Sequence, residues 1–108
     1  MSGSHPVPDP DVGPVRVSRE QALSHVDLHR LLPRIVAPAE VSAGLGSVLA
    51  RFPDGRRLEV VLEPEIEHRI GGLRLRSTRF TFEFYGWREW EIHDFLAHCE
   101  RSLQQGGG

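Results

Sequence analysis

The chain has 108 residues and a formal charge of −2, its 13 basic residues set against 15 acidic ones. That length supports one domain with a modest core. That balance gives no bulk attraction for nucleic acid. No stretch approaches the ~20 apolar residues of a membrane span, and a single cysteine, Cys99, excludes an internal disulfide.

All 13 basic residues are arginine, and the chain contains neither lysine nor asparagine. A GC-rich genome accounts for both. With no apolar leader and one thiol, the composition points to a bacterial cytoplasmic protein.

Residues 1–17 (MSGSHPVPDPDVGPVRV) are rich in Pro, Gly and Asp and read as a disordered tail. Residues 18–105 read as a single α+β domain, and residues 106–108 as a flexible glycine tail. Ser18 followed by Gln21 forms a capping-box pattern that would open a helix. Leu28, Leu31, Leu32 and Ile35 follow at i, i+3, i+4, i+7, an apolar helical stripe. Asp27 would cap this second piece, and Pro33 would kink or end it. Residues 37–46 read as a loop.

Ser47–Phe52 reads as a short edge strand. Pro53-Asp54-Gly55 is a turn that sends the chain back antiparallel. Residues 57–85 then read as one long hairpin turning at Gly71-Gly72. On its first arm Leu58, Val60, Leu62, Ile66 and Ile70 all fall on even positions, the alternation of a half-buried strand. On the second arm Leu73 and Leu75 are odd, but Phe80, Phe82 and Phe84 are even. A β-bulge within residues 76–79 would restore one apolar face, placing Val60 opposite Phe84 and Leu62 opposite Phe82. His68 would then face the core. The other face would pair Glu67 with Arg76 and Glu65 with Arg79, leaving the arginines of LRLRSTRF with carboxylate partners.

Gly86 breaks the last strand. Residues 87–105 read as a helix, with Glu89 and Glu91 at its positive end and Gly106 stopping it. Ile92, Phe95, Leu96, Cys99 and Leu103 form its core stripe. The expected fold is therefore a three-stranded antiparallel meander packed on one face by two helices, in the order α-β-β-β-α.

That element order resembles the double-stranded-RNA-binding domain, in order alone. The lysine-rich start of that family's final helix has no counterpart here, where the helix opens Gly86-Trp87-Arg88-Glu89-Trp90-Glu91. No family motif is present.

Four groups of residues are candidates for function. Trp90 would point away from the helix stripe beside Ala97, and Trp87 would join it at an interface or else close the end of the core. Arg69 and Arg74 face each other at the hairpin tip. With Arg56 and Arg57 at the opposite end of the sheet, they are candidates for binding an anion. His25 and His29 stand at i, i+4, a spacing that suits a shared metal, but a closed site needs about four ligands. Glu63, Glu65 and Glu67 share a strand face that is open, so they read as structural rather than catalytic. No nucleophile elbow, P-loop or dinucleotide fingerprint is present, and the sequence implies no cofactor.

These readings make the chain a non-catalytic protein–protein interaction or accessory module, self-associating or with a protein partner. The alternative is a binding domain for an acidic or phosphate ligand, RNA included. A small enzyme is the third.

Overall fold

A computed structural model describes residues 14–107, with side chains described to Gln104. It is an α+β fold of six antiparallel strands and two helices. The elements are β1 (Val15–Gln21), α1 (His25–Ile35), β2 (Glu40–Gly44), β3 (Ser47–Arg51), β4 (Arg57–Leu62), β5 (Ile66–Ile70), β6 (Leu73–Tyr85) and α2 (Glu89–Gly107). The body of the sheet runs β1-β6-β4-β3-β2, while β5 pairs only with the far part of β6. The three-stranded meander is thus corrected: β1 and β2 are added at its two edges. With a strand before the first helix, the element-order resemblance lapses.

Residues 15–21 are a strand rather than the end of a tail and the start of a helix. Val15 and Val17 alternate with Arg16, Ser18 and Glu20, and all seven residues pair with β6, from Val15↔Phe84 to Gln21↔Thr78. The capping box belongs to Ser24 and Asp27 instead. Ser24 Oγ accepts from the Asp27 amide at 3.1 Å, and Asp27 Oδ2 accepts from the Ser24 amide at 3.4 Å. α1 then buries Leu28, Leu31, Leu32 and Ile35, and Pro33 falls in its last turn. Residues 40–44, expected as loop, pair with β3 through a two-residue turn at Leu45-Gly46. β3 is therefore interior, and the sheet's edges are β1 and β2.

The core is one cluster. Leu58, Val60 and Leu62 of β4 meet Phe84, Phe82 and Phe80 of β6 in register. Leu28 and Leu32 of α1 and Ile92, Phe95, Cys99 and Leu103 of α2 belong to the same cluster. Phe82 stands edge-on to Phe80 and Phe95, with centroids 5.4 and 5.6 Å apart. Cys99 is buried, and desolvation pushes its thiol up to about 12, so it is an inert core residue. α2 begins at Glu89 and its bounds extend beyond Gly106. Among the described residues, no helix is long and apolar enough to cross a membrane.

The hairpin turns where expected, with Ile70↔Leu73, His68↔Leu75 and Ile66↔Ser77 paired. Of the two turn glycines only Gly71 has a positive φ, at 61°, as a type II′ turn requires of its first central residue. The bulge does not lie within residues 76–79. β6 runs unbroken from Leu73 to Tyr85, and the extra residue sits on the first arm, in Glu63-Pro64-Glu65 between β4 and β5. Pro64 explains the position, since it has no N–H to give to a central ladder. Val60 accordingly meets Phe82 and Leu62 meets Phe80, each two residues from the expected partner.

The consequence is larger than a shift in register. Both arms change face together, so Ile66, His68, Ile70, Leu73 and Leu75 lie on the opposite side of the sheet from the phenylalanines.

Candidate functional site

The hairpin tip, β5 with residues 73–77 of β6, continues past the sheet body. β1 stops pairing at Thr78 and β4 at Phe80. Its base is tied to the start of α1. Glu65 accepts from the His25 amide at 2.7 Å and from Arg76 Nη1 at 2.9 Å. The His25 amide first, and Arg76 second, hold the Glu65 carboxyl below its ordinary value of 4.5. The His25 ring nitrogen Nε2 lies 2.7 Å from the Glu63 carbonyl, and Thr78 Oγ1 donates to the Leu23 carbonyl at 2.8 Å.

Beyond that base, one face of the tip is aliphatic and uncovered. Ile66 is 49% exposed, Ile70 and Leu73 64% each, and Leu75 44%. The other face is charged, with one carboxylate shared between two guanidiniums. Glu67 lies 3.7 Å from Arg69 Nε and 3.6 Å from Arg74 Nε. Monomeric proteins seldom leave contiguous aliphatic side chains open in this way, and such patches mark interaction sites. The sequence reading placed these four residues and His68 on the core side.

His68 instead meets Ser77, with Nε2 and Oγ 3.0 Å apart, and Ser77 Oγ donates to Glu20 Oε2 at 3.1 Å. Histidine, serine and a carboxylate are the parts of a hydrolytic triad, but the order here is wrong. The carboxylate holds the serine, whereas a triad needs it on the far nitrogen of the imidazole. A serine hydroxyl donating to Glu20 is oriented away from the histidine, so the group serves as a clasp where β6 changes its buried face.

The four candidate arginines do not converge. Arg69 and Arg74 share Glu67 at the tip. Arg56 lies at the other end of the sheet, 2.8 Å from Asp54 and 3.5 Å from Glu91. Its guanidinium also stacks on Phe52 and Trp87, at 5.0 and 4.3 Å from their centroids. Hydrogen bonding by the Arg56 amide, followed by the charge of its side chain, holds the Asp54 carboxyl below its ordinary value. Arg57 stacks over Tyr85 at 4.3 Å. Burial first, and Glu83 second, push the Tyr85 phenol up. Arg56 is thus held by structural contacts, and both it and Arg57 line a groove with Arg51 and Gly86.

The two tryptophans part company. Trp87 is 7% exposed, packs on Phe84 and Phe95, and donates its indole N–H to the Arg57 carbonyl at 2.9 Å. It closes the end of the core and offers no interface. Trp90 is 60% exposed, on the same face of α2 as the exposed Ala97. His25 is committed to the Glu63 carbonyl, and among the described residues no three metal-ligating side chains converge.

No family model, no curated protein and no solved structure matches this chain.

Proposed function

We propose that this chain is a non-catalytic protein–protein interaction module that holds its partner through the aliphatic face of the hairpin tip. One observation carries the reading: Ile66, Ile70, Leu73 and Leu75 line one face of an arm anchored at its base, and no other part of the described chain covers them. A two-stranded hairpin is marginal alone in water, and an apolar face without cover adds to the difficulty. A partner with a complementary apolar surface would stabilise it and be recognised by it. The charged side chains on the reverse face, Glu67, Arg69 and Arg74, keep the arm soluble while it waits.

The test compares crosslinked partners of the wild type, Trp90→Ala and Ile70→Asp/Leu73→Asp in extract of the source organism. Circular dichroism first confirms that all three are folded. The proposal expects a discrete protein captured by the wild type and by Trp90→Ala, and lost with the arm variant. Partners retained by the arm variant would defeat it.

A further inference from the structure

A second surface is independent of the arm. β1 is an edge strand, and among the described residues nothing pairs with its outer side. Natural edges are usually blunted by proline, a bulge, shortness or charged side chains. β1 has no proline and no bulge, and seven residues pair with β6 without interruption; its charges, Arg16, Arg19 and Glu20, are of both signs, so they oppose some pairings and favour others. Beside it runs a groove of about 480 Å³ between β1 and α2, floored by Val15, Val17, Ile92 and Leu96. Val15 is 50% exposed.

We propose that β1 pairs antiparallel with β1 of a second copy across a two-fold axis at Ser18, joining the two sheets edge to edge. The charge sequence of the strand singles out this arrangement. Ser18 is its midpoint, so a two-fold axis there overlaps the whole strand. It sets Arg16 opposite Glu20 of the second copy, and Glu20 opposite that copy's Arg16. Each already has an opposite charge on its inner side. Arg16 Nε lies 3.0 Å from Glu83, and Glu20 lies 3.7 Å from Arg79 Nη2.

Across the joined sheet the row therefore reads Arg79, Glu20, then Arg16 and Glu83 of the second copy, alternating in sign at every step. The two-fold axis repeats the row in reverse. Between the rows, the 2.9 Å Ser18–Thr81 hydroxyl bond extends into a ladder of four hydroxyls. Other registers that keep the helices on one side do worse. An axis at Arg16, Arg19 or Glu20 sets like charges face to face, and one at Val17 shortens the ladder and sets Arg16 against a serine. Opposite charges across strands stabilise pairing, and like charges oppose it. Pairing also brings the second copy's Arg19 and Gln21 against Val17 and Val15, narrowing the groove over Ile92 and Leu96. The arms leave beyond Gln21, so in the dimer they emerge at opposite ends of the shared edge.

The experiment uses sedimentation equilibrium on the full chain and on two single variants, Arg16→Glu and Glu20→Arg, whose melting curves establish that each is folded. Alone, each variant sets two like-charge pairs across the axis, and its dimer should weaken about tenfold or more. Mixed, the glutamate introduced in one variant meets the arginine introduced in the other, while the native Arg16–Glu20 pair forms on the opposite side of the axis. The mixture should therefore dimerise with near wild-type affinity. A wild type that stays monomeric at all concentrations would overturn the proposal. So would variants that dimerise normally, or a mixture that fails to recover. A dimer indifferent to both swaps but lost in Ile70→Asp/Leu73→Asp would overturn it too, and would assign self-association to the arm.

Discussion

β6 passes through two environments within one strand. From Phe80 to Phe84 its even-numbered side chains are buried, with β1 and β4 on either side and two helices above. From Leu73 to Leu75 its odd-numbered side chains are exposed, with β5 as the only neighbour. The alternation of apolar and polar residues is as clean in the second part as in the first. Alternation therefore reports that a strand has an apolar face. It does not report whether the same chain covers that face. The body supplies its own cover, and the described residues supply none for the arm.

The sharpest contrast is energetic. Phe82→Ala removes a fully buried ring packed on Phe80, Phe84 and Phe95, and should destabilise the fold by about 3–5 kcal/mol in urea unfolding. Leu73→Ala in the same strand leaves no cavity, and its effect should stay within about 0.5 kcal/mol. Comparable losses at both positions would mean that the arm is packed in the isolated chain, and the contrast would fail.

The tryptophans repeat the contrast at smaller scale. Trp87→Phe leaves the Arg57 carbonyl without its donor and thins the end of the core, at a cost of about 1–3 kcal/mol. Trp90→Phe should change stability by no more than about 0.5 kcal/mol. Single-tryptophan proteins should separate in emission, Trp87 blue and Trp90 red. A blue Trp90 in the dilute chain would show that its surface is already occupied.

The register of the tip and the core face of the sheet body were both legible in the sequence, but the face presented by the tip was not. The turn glycines fix the first and parity fixes the second. What parity left open was which arm holds the extra residue. A bulge on the second arm keeps one apolar face, whereas a bulge on the first makes both arms swap. Pro64 was the available signal, because a residue without an N–H belongs where the ladder breaks.

β1 and β2 were harder to see. Val15–Gln21 has only two apolar residues, Val15 and Val17, and Glu40–Gly44 also has two, Val41 and Ala43, so neither announces a strand. They pair because β6 and β3 offer them an edge, which is tertiary context outweighing local preference. The Ser18–Gln21 pattern also imitated a capping box one helical turn and more ahead of the true one at Ser24 and Asp27. Trp87 was legible only as one of two alternatives, because a helix start and an entry turn point its indole differently.

The smallest expected effect concerns the hinge between the two regions, and it turns on Glu65. This carboxylate joins the arm to α1 through the His25 amide and Arg76. Its folded value is lowered from 4.5, so its contribution is complete above that pH and fades as the pH falls through the lower folded value. Amide exchange in residues 66–77 should already be faster than in Leu58–Leu62 and Phe80–Phe84 at neutral pH, since both edges of the tip are open. Below about pH 4.5 the tip should lose protection before the body does. Glu65→Gln should bring that loss to neutral pH and remove the added acid sensitivity, while exchange in the body stays unchanged. If acid instead loosens body and tip together in the wild type, the two regions open as one unit, and the arm is no more independent than the strand that carries it.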